Sequence, residues 1–242
     1  MIIFLLIALW EFLSKHNYIN PFIFSSPSKI LNCILYLYKS NNLFIHINTT
    51  LNETVIAFIL CVILSFIISL FFYIFGYVFK IVEPLLTMLN SMPKVALGPV
   101  IILIFGAKEN SVIIMALSIT LILNILNIYN GFKNTDSYLE KYLNTLHVTK
   151  FQKIKLLVIP SSYSTIINNL KINISMTLIG VIMGEFLVSK AGIGYLIIYG
   201  TQVFNLTLVM SGIVILMIIS YVLYILIGLL EKILNKKISN QC

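Results

Sequence analysis

The chain has 242 residues, of which 60% are hydrophobic and only 10% charged, and its mean hydropathy is +1.02. A soluble domain carries about a quarter charged residues, so that class is excluded. The net charge of +8 follows lysine placement across a membrane and gives no reason to invoke nucleic acid as a partner.

Several apolar runs reach the ~20 residues that a spanning helix needs, and the alternating ten-residue segments of a β-barrel are missing from the sequence. The expected fold class is all-α: a polytopic helical membrane protein of about six transmembrane helices. It forms a single domain over 1–242, with spans at about 1–13, 54–79, 84–106, 111–129, 164–187 and 206–230. The first run is short, covering ~20 Å of a ~30 Å hydrocarbon core. Either the start is truncated or the helix extends through His16 at the outer boundary. A cleaved signal peptide is not expected, because no basic region and no small-residue cleavage pattern precedes Ser14.

The third span contains Pro93-Lys94-Val95-Ala96-Leu97-Gly98-Pro99. Two prolines and a glycine weaken the helical ladder and predict a kink. A kinked helix of this kind either lines a pathway or serves packing alone, and Pro93, Gly98 and Pro99 are the candidate pathway residues. Lys94 is expected toward the cytoplasmic end, with its ammonium snorkelling there.

After the fourth span comes a lysine-rich amphipathic island, Lys133 to Pro160, within a loop set at 131–163. Ser137 with Glu140 and Thr149 with Gln152 read as capping boxes that start two short helices. Leu139, Tyr142, Leu143 and Leu146 recur at helical spacing, as do Phe151, Ile154 and Leu157. Such a helix–turn–helix either docks on a cytoplasmic partner or lies on the membrane surface against lipid.

Glu185 is the one acid inside the expected spans after the short first run, between Gly184 and the run Gly192-Ile193-Gly194-Tyr195. An intramembrane acid is a functional candidate by default. The alternative places Glu185 near the outer interface, paired with Lys190 or water. Asn124, Asn127, Asn169 and Asn173 are expected to hydrogen-bond between helices.

All sixteen cations are lysine. One set of loops holds Lys80, Lys133, Lys141, Lys150, Lys153, Lys155, Lys232, Lys236 and Lys237, and the opposite set holds Lys15, Lys29, Lys39, Lys108 and Lys190. The richer side is expected to be cytoplasmic, which puts the island and the C-terminus inside. Cys33, Cys61 and Cys242 have no metal or redox spacing and read as free thiols. The sequence has no nucleotide-binding loop, catalytic triad or paired-carboxylate motif, so no cofactor, metal or covalent chemistry is expected of this chain. If ATP drives transport, the ATPase is a separate subunit.

Over nearly its whole length the chain resembles the transmembrane permease subunit of bacterial ABC importers, in the nitrate, sulfonate, taurine and bicarbonate group. The resemblance rests on Leu9-Trp10-Glu11-Phe12-Leu13, Asn20-Pro21-Phe22, Ser26-Pro27-Ser28, Met92 to Pro99 with Phe105-Gly106, Asn127, Tyr129, Gly131, Asp136, Glu185 and Gly192 to Leu196. The island is then similar to the family's EAA loop, which docks into a groove on the ATPase. Leu143, Leu146, His147, Thr149, Phe151, Gln152 and Pro160 are the candidate coupling residues on that resemblance, and Gly192 and Gly194 join Glu185 as candidate pathway residues. The motif departs from the family where Lys141-Tyr142-Leu143 stands for Glu-Ala-Ala and His147 for the usual glycine. That glycine closes a helix in the left-handed conformation, which histidine tolerates better than most residues.

The resemblance implies alternating access in a bacterial cell membrane. Two permease copies form the pathway, two ATPase subunits drive it, and an extracytoplasmic binding protein delivers a small anion such as a sulfonate or nitrate. A thiamine pyrimidine precursor is the alternative cargo. A secondary transporter without an ATPase is the rival class, which inverted repeats and more intramembrane charges would favour.

Overall fold

The computed structural model describes residues 2–239, and these contain helices and connections but no strand. The reading of Cys242 as a free thiol lies outside the described residues, whereas Cys33 and Cys61 are free.

Three short helices come first: α1 (Ile2–Lys15), α2 (Pro21–Phe24) and α3 (Pro27–Lys39). Proline at the first helical position starts α2 and α3, with Asn20 and Ser26 as side-chain caps that accept from Phe22 N and Lys29 N. The long helix α4 (Asn42–Ile74) follows, then α5 (Gly76–Ser91). A 3-10 turn, Lys94–Leu97, leads into α6 (Gly98–Phe105). Next come α7 (Glu109–Lys133), α8 (Ser137–Thr145) and α9 (Lys150–Lys153). A π turn, Ile154–Val158, joins α9 to α10 (Ile159–Val188), and α11 (Ile193–Gln202) and α12 (Leu206–Ser239) complete the chain.

Four of these segments are long and apolar enough to cross a membrane: α4, α7, the run Lys150–Val188 and α12. The pair α5 with Lys94–Phe105 makes a fifth if counted together, but it is bent by 91°. The kink expected from the prolines is therefore a near right-angle break. The boundaries differ from the sequence expectation in the same region. A break at Phe75 ends α4, and α4 starts twelve residues before Thr54. Its first turns, Asn42 to Asn52, mix polar and apolar residues and carry no spanning signature of their own.

The central packing is α7 against α10, with α4 on the other side of α7. Gly180 and Gly184, one turn apart, let the α10 backbone lie directly on Ala116 and Val112 of α7. A Cβ on Gly180 would stand 2.6 Å from Ala116 Cα, and one on Gly184 would stand 2.8 Å from Val112 Cα. No side chain fits there.

Polar groups bind the same three helices together. Thr120 Oγ1 and Asn124 Nδ2 donate to Cys61 Sγ at 3.2 and 3.3 Å. Asn169 Nδ2 donates to Asn124 Oδ1 at 2.6 Å, and Asn127 Nδ2 to Asn169 Oδ1 at 2.9 Å. The amides thus form a ladder across α4, α7 and α10, as their expected role requires. Asn173 instead accepts from Thr177 on its own helix. Lys171 of α10 and Glu231 of α12 form an ion pair that ties the last long helix on.

Candidate functional site

The exposed loop is built from caps upward. Asp136, not Ser137, caps α8: its Oδ1 accepts from Tyr138 N at 2.8 Å. The first capping box expected from sequence is therefore absent. The Glu140 carboxylate turns away to accept from Lys153 Nζ at 2.9 Å, an ion pair that clamps α8 to α9. The second box is formed as expected, with Thr149 and Gln152 satisfying each other's backbone N–H. Between the helices His147 adopts φ +52°, the left-handed conformation that lets the chain reverse.

The apolar residues of this loop divide sharply. Ile154, Leu157 and Val158 are buried, and Val158 packs with Phe132 and Ile128 of α7. Leu146 is 58% exposed and Phe151 74% exposed, and Thr149, Gln152 and His147 are exposed beside them. Leu143 is half-buried. The π turn sits directly ahead of Pro160, which has no N–H to give and whose ring crowds the carbonyl four residues back.

At the far end of α10 lies a second cluster. Thr50 Oγ1 donates to Glu185 Oε1 at 2.6 Å, and Gly194 N donates to Glu185 Oε2. Ile193 N donates to Thr50 Oγ1 at 2.8 Å, and Gly192 N to His46 Nδ1 at 3.0 Å. His46 in turn stacks on Tyr195, with ring centroids 5.9 Å apart. Glu185 is 1% exposed. Its carboxylate therefore holds the turn into α11 and does not pair with Lys190.

The glycines of that turn are there for space. Gly192 has φ +112°, and a Cβ there would overlap the Glu185 carboxylate. A Cβ on Gly194 would stand 2.7 Å from Glu185 Oε2.

Glu185 is not the one acid inside a span. Glu53 of α4 is 4% exposed, neighbours Glu185, and has no hydrogen-bond partner for either oxygen among the described residues. The sequence reading missed Glu53, Thr50 and His46 because it started the span at Thr54. Their spacing of four and three residues was the available signal, since it puts all three on one helical face.

The proline segment meets the same end of α10. Gly98 is buried with its Cα against Leu187, two residues after Glu185, and a Cβ there would also reach Met115 at 3.8 Å. Pro93 and Pro99 are exposed. Of the candidate pathway residues, Gly98, Glu185, Gly192 and Gly194 thus lie in the interior of the chain, and only the two prolines reach its surface. Lys94 does not snorkel to a membrane boundary. Its ammonium donates to Asn90 Oδ1 and to the backbone oxygen of Ile119, both at 2.9 Å, because the right-angle bend turns the side chain inward onto α7.

Residues 62–240 match the family described as the binding-protein-dependent transport system inner membrane component. That stretch takes in the bent pair, the capped loop and the Glu185 turn. The chain belongs to this family. It is a multi-pass inner-membrane permease of the ABC importer type.

Among relatives, a Bacillus subtilis protein designated an aliphatic sulfonates transport permease, SsuC, is 24% identical over 231 residues, covering 96% of this chain and 84% of that protein. The formylaminopyrimidine transport permease ThiX of Halalkalibacterium halodurans is 28% identical over 191 residues, covering 79% and 76%. In structure the permease is similar to a chain of the MetNI methionine ABC transporter in an inward-facing conformation. The TM-score is 0.66 over 77% of this chain and 93% of that one, and at 15% identity the likeness concerns the fold alone.

Proposed function

We propose that this permease, as a homodimer, forms the pathway of an ATP-driven importer for a small anion such as a sulfonate or nitrate. An extracytoplasmic binding protein delivers the cargo, and ATP is hydrolysed on separate ATPase subunits. The loop 131–163 is the coupling segment, and it and the C-terminus lie in the cytoplasm.

The observation that carries the coupling role is the exposure of Leu146 and Phe151 on a loop whose fold is fixed by other residues. Aromatic and aliphatic side chains held out on a capped, ion-paired frame are what an apolar socket on a partner needs. The sulfonate permease relative supports an anionic cargo. The formylaminopyrimidine relative supports the second reading, a thiamine pyrimidine precursor.

A ligand screen separates the two. The partner binding protein is heated with taurine, ethanesulfonate, nitrate and formylaminopyrimidine in turn. The anion reading expects a melting shift with one of the first three. A shift with the pyrimidine alone overturns it.

A further inference from the structure

Lys94 is a cation at mid-depth. Ile119, whose carbonyl it bonds, stands ten residues from the Glu109 end of α7 and fourteen from the Lys133 end. At 1.5 Å per residue those distances are about 15 and 21 Å. An intramembrane ammonium is costly unless it is compensated. Here both identified partners, Asn90 Oδ1 and Ile119 O, are neutral, and no ion pair among the described residues includes Lys94. An ammonium has three donors, so one is left over. The residues beside it, Pro93, Val95 and Ala96, are exposed on the surface of this chain.

The same side of α7 continues toward the capped loop. Ile119, Leu123, Asn127, Asn130 and Asn134 fall within about 80° of one another at 100° per residue. The last three open onto a recess of about 330 Å³ between α7 and α10, which Gly131, Thr165, Asn168, Asn169 and Ile172 complete. Five asparagines line it and no carboxylate does. Asn130, Asn134, Thr165 and Asn168 are exposed.

We propose that Lys94 and this amide recess are two successive stations for an oxyanion group, about 12 Å apart along α7. This inference rests on the importer reading above and names where its cargo is held. The ammonium supplies the charge that makes mid-depth tolerable for a sulfonate or nitrate. Asn127 and Asn169 are engaged with each other and with Asn124, and the exposed amides of Asn130, Asn134 and Asn168 offer the neutral N–H donors, which hold an oxyanion weakly and let it leave. A carboxylate at either place would repel it, and neither place has one.

The test uses the complete transporter, permease with its ATPase and binding protein, in phosphatidylcholine vesicles. Cys33, Cys61 and Cys242 are removed and Val95→Cys is introduced beside Lys94. Its modification rate is measured with an anionic reagent, sulfonatoethyl methanethiosulfonate, and with the cationic trimethylammonium analogue, each normalised to a free thiol. The expected preference for the anion is about fivefold, falling to about one in Lys94→Gln. A ratio near one with Lys94 intact overturns the proposal, and so does no reaction with either reagent. A preference that disappears on adding phosphatidylglycerol assigns the site to a lipid headgroup and also overturns it. Blocking Thr165→Cys with a bulky maleimide is expected to slow the Val95→Cys reaction from the cytoplasmic face, and an unchanged rate overturns the shared route. A neutral ligand in the binding-protein screen removes the anionic cargo while leaving these ratios in place, so the two failures look different.

Discussion

The hydroxyl of Thr50 donates to Glu185 at 2.6 Å and accepts from the backbone of Ile193 at 2.8 Å. One small side chain on α4 thereby joins the end of α10 to the start of α11. The Glu185 carboxylate and the Gly192 and Gly194 backbone close the same knot.

This knot is expected to be structural in the first instance. Glu185→Ala leaves the Thr50 hydroxyl and the Gly194 N–H without their acceptor and opens a cavity, a loss of about 3 kcal/mol. Glu53→Gln is expected to be near neutral, because the Glu53 carboxyl makes no hydrogen bond with the described residues. Thermal unfolding of the purified permease checks the order. A Glu185→Ala protein that melts with the wild type would mean the knot is not needed for stability.

Phe151→Asp is expected to weaken the ATPase's hold on the permease without unfolding the spans, since Phe151 is 74% exposed and packs on nothing in the core. The check is co-purification of the ATPase together with uptake. Normal values of both would remove the docking role.

His147→Gly is expected to keep or slightly raise stability, by up to about 1 kcal/mol, because φ +52° suits glycine better. His147→Val is expected to lower it by a larger amount, since a β-branched residue fits that conformation poorly. Melting and ATPase co-purification of the two variants should move in opposite directions. Equal behaviour would show that the loop does not depend on this turn.

In the background without native cysteines, Lys150→Cys should be labelled only from the cytoplasm and Lys108→Cys only from outside. Labelling of both from one side would overturn the orientation drawn from lysine placement.

The legible parts of the fold were those with a local cause. Apolar length exposed α7 and α12 as spans, and the Thr149 and Gln152 spacing exposed the second capped helix, because each signal is complete within a few turns of chain. Glu53 was hidden because the polar start of α4 has no spanning signature, so the helix there depends on tertiary partners such as Glu185 and the Gly192 turn. The inward course of Lys94 was hidden for a related reason. Proline and glycine announce a bend, but its angle is set by what α6 packs against. The Asp136 cap was missed because two acceptors stood side by side and the ion pair with Lys153 took Glu140 out of the competition.

From Lys150 to Val188 the chain runs as 39 consecutive helical residues, about 58 Å at the usual rise. Its ends are the exposed Phe151 and the buried Glu185. The π turn and Pro160 interrupt the regular ladder near its loop end, and from there to Val188 the helix is continuous. Gly180 and Gly184 seat it directly on Ala116 and Val112 of α7. That seat is about 45 Å from Phe151 and only a few ångströms from Glu185. One helix thus gives the exposed loop a backbone path to the seat on α7 and to the Glu185 turn.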